Sequence, residues 1–156
     1  PSVKCISNAM NVGHPSNLAR VFWLYGGSMD EAGRVVRAPE IEAMRRDIFA
    51  KSVTDAETRE TISEAYNRFD ALLEPHGAVG WAGLARYLKE VEDWSPSVSL
   101  ETADPAKFPE EVVRAVGLEP AVPAGLSRLD GMGERFDLIA GEYGFFKEKL
   151  SELFRG

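Results

Sequence analysis

Residues 51–69, with the sequence KSVTDAETRETISEAYNRF, contain the features that decide the fold class. The first three residues are β-prone and predict a brief strand. Thr54 and Glu57 then have the spacing of a capping box, in which each side chain accepts a hydrogen bond from the backbone of the other residue. The apolar residues that follow recur at the spacing of one helix face, namely Ile62, Ala65, Tyr66 and Phe69. The stretch therefore predicts a short strand followed by a helix.

Similar units extend in both directions along the chain. Further short strands are predicted at residues 3–6, 97–100 and 136–139. Helices are predicted to begin near Pro15, after a capping box at residues 28–31, at Pro39, at Pro75 and at Pro109. A last helix is predicted over residues 142–154, and its residues Tyr143, Phe146, Leu150 and Phe154 are expected to face inward. Short strands that alternate with helices are typical of α/β proteins, so we expect a mainly parallel sheet flanked by helices. Because only about four weak strands are visible, we expect residues 1–156 to form one compact but incomplete unit of a larger domain.

Three glycines lie at regular intervals in the helix that begins at Pro75. Each of Gly77, Gly80 and Gly83 costs about 1 kcal/mol relative to alanine inside a helix. Their spacing predicts that a sheet or another helix approaches this helix closely.

The composition is that of an acidic globular protein. Among the 156 residues, 25 Asp and Glu outnumber 18 Lys and Arg, which gives a net charge of −7. An acidic chain without a basic stripe is a poor candidate for binding nucleic acid, and no apolar run approaches the roughly 18 residues that a membrane span needs. Cys5 is the only cysteine, so an intrachain disulfide is impossible and a cytoplasmic location is favoured. The sequence starts at Pro1 without a signal-peptide pattern, and we expect either a piece of a longer protein or the loss of Met alone.

Few residues have the pattern of a catalytic or metal site. The sequence has no metal-ligand spacing and no glycine-rich phosphate loop. His14 and His76 each lie at a predicted helix start, where an anion site or a functional imidazole is possible but ordinary capping is favoured. Cys5 in an apolar run is expected to be inert packing, and Lys107 in a polar loop is expected to be solvated. Thr102 follows a predicted strand, at the edge where open α/β sheets bind ligands.

Three segments of the sequence, in order, resemble one enzyme family. Residues 6–20, ISNAMNVGHPSNLAR, are similar to a Ser-x-Ala-Met-Asp…Pro-Ser-Asn-x-x-Arg segment of threonine synthase. Residues 74–80, EPHGAVG, resemble its Asp-Pro-His-Thr-Ala-Val-Gly segment, and residues 101–108, ETADPAKF, resemble its Thr-Ala-His-Pro-Ala-Lys-Phe segment. With the terminal helix, the resemblance covers essentially the whole chain.

The resemblance implies a pyridoxal-phosphate (PLP) enzyme of the tryptophan-synthase-β type. That family converts O-phosphohomoserine and water to threonine and phosphate. It implies that the Thr102 hydroxyl hydrogen-bonds the pyridine nitrogen of the cofactor, which leaves that nitrogen largely unprotonated. Three departures from the family pattern stand out: Asn11 in place of Asp, Gly77 in place of Thr, and Asp104 in place of His. Asp104 either alters the field around the ring nitrogen or caps the next helix.

Two parts of the family pattern do not occur in residues 1–156. These are the Phe-Lys-Asp segment, whose lysine binds the cofactor covalently, and a Gly-Asn-rich loop that holds the cofactor phosphate. Lys107 matches a downstream lysine of the family and not the cofactor-binding one. We therefore expect a C-terminal portion of threonine synthase, with Thr102 as a cofactor-binding residue and no catalytic residue or metal ligand. We expect this portion to be inactive without the N-terminal portion.

Two other interpretations remain open from the sequence. One is a non-catalytic interaction module derived from the enzyme, for which a polar surface would be expected in place of an apolar one. The other is a related phospho-lyase that acts on a different phosphorylated amino acid, which the substitutions at Gly77 and Asp104 allow.

Overall fold

The computed structural model describes residues 3–13, 15–92, 94–129 and 131–154. The chain was expected to form one unit; its contacts divide it into Pro1–Ala121 and Val122–Gly156, and each unit is described by itself. Within the described ranges, no helix is long and apolar enough to cross a lipid bilayer.

The first unit is mainly helical. Its elements are α1 (Ser16–Leu24), β1 (Ser28–Met29), β2 (Val35–Arg37), α2 (Ile41–Asp47), α3 (Asp55–Phe69), α4 (Pro75–Val91) and α5 (Pro109–Val116), with short 3-10 turns at Asn8–Met10 and Pro105–Lys107. The second unit contains α6 (Ala124–Ser127) and α7 (Tyr143–Leu153).

Helix α3 is the centre of the first unit and begins as predicted. The Glu57 backbone N–H donates to Thr54 Oγ1 at 3.3 Å, and the Thr54 N–H donates to Glu57 Oε2 at 2.7 Å, which confirms the capping box. Helices α4 and α5 both pack against α3. An ion pair between Arg59 Nε and Glu111 Oε2, 2.7 Å apart, also joins α3 to α5.

The hydrophobic core lies between these three helices. Its buried residues are Ile62, Ala65, Leu73 and Ala78, with Trp81 and Val116 among the partly buried side chains packed around them. This core supports the N-terminal end of α4, since Leu73 directly precedes that end and Ala78 lies in its first turn.

The described residues do not contain the predicted mainly parallel sheet. The sheet observed there is a two-stranded antiparallel pair, β1 with β2. The strands predicted at residues 3–6, 51–53, 97–100 and 136–139 are wrong, because these residues form neither strand nor helix. A β-prone run becomes a strand only where a neighbouring chain accepts and donates its ladder hydrogen bonds, and these runs have no such neighbour in the described part of the chain.

The helix predicted after residues 28–31 is also wrong. Asp30 Oδ1 accepts the backbone N–H groups of Ala32 and Arg34, at 2.9 and 2.8 Å. This side chain therefore stabilises a turn between β1 and β2, in competition with a helix start.

In the second unit, α7 has the predicted position but not the predicted burial. The four residues expected to face inward are all exposed: Tyr143 by 77%, Phe146 by 48%, Leu150 by 38% and Phe154 by 80%. An ion pair joins Lys149 Nζ to Asp137 Oδ2 at 3.0 Å.

Candidate functional site

The candidate site is formed where residues 99–102 pass the first turns of α4. The Ser99 hydroxyl lies beside Gly80, and the Glu101 carboxyl lies over Gly77. The next residue, Thr102, is exposed, and its hydroxyl has no hydrogen-bond partner among the described residues. It is therefore free to bond a ligand.

Glu74 caps the N-terminus of α4 and is fully buried. Its Oε2 accepts the His76 N–H at 2.8 Å, and its Oε1 accepts the Gly77 N–H at 2.8 Å. A carboxylate that accepts two backbone N–H groups satisfies donors that a helix N-terminus leaves free. Glu74 was not among the predicted site residues, although its place directly before Pro75 is a typical N-cap position.

His76 is held in one neutral tautomer. Its Nε2 accepts the backbone N–H of Ala9 at 3.1 Å, so the ring proton resides on Nδ1. Nδ1 lies 2.5 Å from Glu74 Oε2 and donates to it. The ring also packs against Phe108, with 5.0 Å between the ring centroids. The imidazole thus joins Glu74 to Ala9, whereas the helix cap that the sequence favoured for His76 is provided by Glu74.

The three segments singled out in the sequence meet at this histidine. Ala9 belongs to residues 6–20, His76 to residues 74–80, and Phe108 to residues 101–108. Because Glu101 lies over Gly77, its neighbour Thr102 follows directly on the residue that approaches the start of α4.

Glu101 is the second acid of the site, and no sequence pattern pointed to it. Its carboxyl lies over Gly77, whose N–H donates to Glu74 Oε1, and burial followed by the interaction with Glu74 raises the pKa of Glu101 to about 7. A Cβ atom on Gly77 would overlap this carboxyl. A close approach was therefore predicted correctly at Gly77 and Gly80, although the approaching segment is a loop and not a sheet or a helix. Among the described residues, no neighbouring atom lies within 4 Å of a Cβ placed on Gly83.

The other two departures from the family pattern have local structural roles. Asn11 donates through its side-chain amide to the Val3 carbonyl oxygen, a bond that an aspartate could not make. Asp104 Oδ1 accepts the Ala106 N–H at 2.9 Å and caps the following 3-10 turn. The capping alternative for Asp104 is thus the observed one.

The remaining candidates lie away from this arrangement or outside the described residues. Lys107 is exposed, and Cys5 is half-buried with its Sγ 3.5 Å from Ser7 Oγ. His14 lies outside the described residues. No cluster of acidic, His or Cys side chains suited to a metal ion occurs in the part of the chain that the structure describes.

Comparisons with known proteins agree with the sequence resemblance. The family model "Threonine synthase, C-terminal" matches residues 77–147. Threonine synthase of Pseudomonas aeruginosa is 39% identical over 92 residues, which are 58% of this chain and 19% of that protein. The crystal structure of PLP-bound threonine synthase from Brucella melitensis superposes on 100% of this chain with a TM-score of 0.76 and 28% identity.

These matches make the chain similar to the C-terminal part of threonine synthase. It corresponds to the C-terminal part of the family's proteins and covers 36% of the Brucella threonine synthase chain. It also matches threonine synthase-like 2 of Homo sapiens, with 29% identity over 86% of this chain and 30% of that protein. The fold described above is thus that of a PLP threonine synthase in this region, with its described part mostly helical.

The residues of the site fit one side of a PLP pocket. An exposed hydroxyl without a protein partner, such as that of Thr102, suits a hydrogen bond to a ring nitrogen. Residues 1–156 contain no Phe-Lys-Asp segment for covalent attachment, so this chain would contribute only non-covalent contacts.

Proposed function

We propose that this chain is the C-terminal portion of a PLP-dependent lyase that converts O-phosphohomoserine and water to threonine and phosphate in the cytoplasm. Its partner is the N-terminal portion of the enzyme, which would carry the cofactor-binding lysine. The observation that supports this most is the meeting of three family-like segments at His76, one of which contains the exposed Thr102.

In this proposal Thr102 binds the cofactor and sets its electronic state. PLP, when bound, supplies an electron sink for charge that develops on the amino acid. The Thr102 hydroxyl donates its proton to the pyridine nitrogen in a hydrogen bond but does not transfer it, because an alcohol is a very weak acid. Glu74 and His76 contribute by fixing the start of α4, beside which Thr102 lies.

The exposed surface favours this proposal over a free-standing interaction module. Large apolar side chains are widely exposed, including Trp23 at 71% and Trp94 at 90%. Monomeric soluble proteins keep such apolar patches small, so this surface is expected to be covered by another part of the enzyme. The departures from the family pattern at Gly77 and Asp104 keep a related phospho-lyase as the second candidate, and substrate profiling with other phosphorylated amino acids would discriminate the two.

The 156-residue chain by itself is expected to have no activity. Without the Phe-Lys-Asp segment, no lysine of the chain is placed to bind PLP in the family's way. The test incubates the purified chain with PLP and O-phosphohomoserine and measures phosphate and threonine. The control is the same chain joined to a family N-terminal portion that carries the lysine. Threonine formed by the chain alone would contradict this expectation.

In the enzyme that contains this chain, Thr102→Val is expected to weaken PLP binding by about fivefold. Valine keeps the shape of threonine but cannot hydrogen-bond, and one such bond contributes on the order of 1 kcal/mol. PLP affinity is measured by absorbance titration, with Thr102→Ser as the control that keeps the hydroxyl. An unchanged affinity in the valine variant, with its circular dichroism spectrum intact, would show that Thr102 does not contact the cofactor.

A further inference from the structure

Glu74, His76 and Glu101 form a cluster of three titratable groups at the start of α4. Glu74 and His76 belong to the helix end, and Glu101 approaches from the loop that leads to Thr102. Asp104, the next acid after Thr102, is engaged with the Ala106 N–H. Within the described ranges, no Lys or Arg forms an ion pair with Glu74 or Glu101.

The hydrogen bonds around Glu74 determine where the shared proton lies. Glu74 already accepts the N–H groups of His76 and Gly77 and the Nδ1 proton of His76, so it acts as an acceptor throughout. The carboxyl of Glu101 lies over Gly77, whose N–H donates to this buried acceptor, so the two acids meet at the same residue. Two ionised carboxylates in contact repel each other, whereas an acid and a carboxylate form a strong hydrogen bond. Glu101 is therefore the partner that carries the proton.

We propose that Glu101 is a positioning residue for Thr102, whose carboxylic acid donates a hydrogen bond to Glu74 in the space that Gly77 leaves open. This contact fixes residues 99–102 against α4 and leaves the adjacent Thr102 hydroxyl exposed toward the ligand side. The role of Thr102 in this inference rests on the proposed function; the Glu101–Glu74 contact does not.

Gly77 makes the contact possible. A Cβ at this position would overlap the Glu101 carboxyl, so a threonine here would displace the end of the Glu101 side chain from its place over the start of α4. The glycine at position 77 and the glutamate at position 101 thus depend on each other. We expect the two positions to be energetically coupled.

The first test is a pH titration of the 156-residue chain with ¹³C-labelled glutamate carboxyls, followed by NMR. The Glu101 resonance, assigned by its loss in Glu101→Gln, is expected to titrate near pH 7, because burial and the neighbouring Glu74 raise its pKa to about 7. A midpoint near the ordinary value of 4.5 would overturn the proposal.

Thermal unfolding gives a second measurement that does not depend on assignment. Because the pKa of Glu101 is higher in the folded chain than in the unfolded one, its stabilisation is complete below about pH 4.5 and is lost as the pH rises through about 7. The melting temperature of the parent is thus expected to fall across this window more than that of Glu101→Gln. Glu110→Gln, the same change on the exposed start of α5, serves as the control. Its melting temperature should fall across this pH window as much as that of the parent chain. Equal slopes in all three chains would contradict the shared proton.

The positioning of Thr102 is tested by PLP affinity in the enzyme that contains this chain. Glu101→Gln should bind PLP normally, because its amide still donates to Glu74. Gly77→Thr and Glu101→Ala should each weaken PLP binding by about fivefold, the effect of misplacing one neutral hydrogen bond. The double variant Gly77→Thr/Glu101→Ala should weaken PLP binding by less than the product of the two single fold-changes.

The outcomes separate this inference from the proposed function. If the parent enzyme binds no PLP, the proposed function fails, while an NMR midpoint near 7 still supports the Glu101–Glu74 contact. If PLP binds and Glu101→Ala leaves its affinity unchanged, Thr102 is positioned by other residues and the inference is wrong.

Discussion

Glu74→Ala is expected to lower the free energy of unfolding of the first unit by about 3 kcal/mol. The substitution removes the acceptor of three hydrogen bonds in a fully buried place. Loss of a helix N-cap costs about 1–2 kcal/mol, and each buried donor left without a partner adds about 1–3 kcal/mol. The cost of burying the carboxylate disappears in the variant, so the expected loss lies below the sum of these contributions.

The measurement is urea unfolding followed by tryptophan fluorescence. The three tryptophans, at positions 23, 81 and 94, all lie in the first unit, so the fluorescence signal reports on that unit alone. Glu74→Asp is the matched control, because aspartate is a strong N-cap residue and keeps the carboxylate that His76 Nδ1 needs. We expect it to retain most of the stability. A loss below about 1 kcal/mol in the alanine variant would mean that water or another side chain replaces the acceptor.

Helix ends were predictable wherever all the interacting residues are close together in the sequence. The Thr54 capping box involves only Thr54 and Glu57, and both of its hydrogen bonds form. Pro109 likewise begins α5 as predicted. In such cases the local sequence contains the donors, the acceptors and the backbone preference together, so tertiary structure adds little.

Strands could not be predicted in the same way, because a strand depends on a partner. Residues 97–100 alternate like a strand, but they pass α4 as a loop, with Ser99 beside Gly80. At residues 28–31 the capping-box pattern was present, but Asp30 bonds the backbone of its own turn. The same residue type serves a helix start or a tight turn, and the hairpin partner β2 decides between them here.

The candidate site was predictable only in part. Position 102 was found through its resemblance to a family segment and its expected place at a sheet edge, although no strand precedes it. The pairing of Glu101 with Glu74 depends on how the chain returns along α4, which no local pattern encodes. The glycine at position 77 was the available hint, since it predicted a close approach without naming the approaching group.

Ile62→Ala is expected to destabilise the first unit by about 3 kcal/mol or more. Ile62 is fully buried at the centre of the α3–α4–α5 core. Removing three carbons loses about 0.8 kcal/mol of hydrophobic transfer energy per carbon, and the cavity left behind adds to this. The buried neighbours Ala65 and Ala78 are too small to swing into the space, so relaxation around the cavity is limited.

The matched control is Ile41→Ala, the same chemical change at the first residue of α2, where the side chain is 39% exposed. Its expected loss is below about 1.5 kcal/mol, because part of the side chain is already in water and no closed cavity forms. Urea unfolding followed by tryptophan fluorescence again isolates the first unit, and Trp81 packs directly against the core that changes. Because a domain of this size has about 5–15 kcal/mol of stability in total, a loss of 3 kcal/mol would move the midpoint far outside experimental error. Equal losses in the two variants would mean that Ile62 is not at the centre of a core formed by α3, α4 and α5, and the support this core gives to Glu74 at the start of α4 would then need another source.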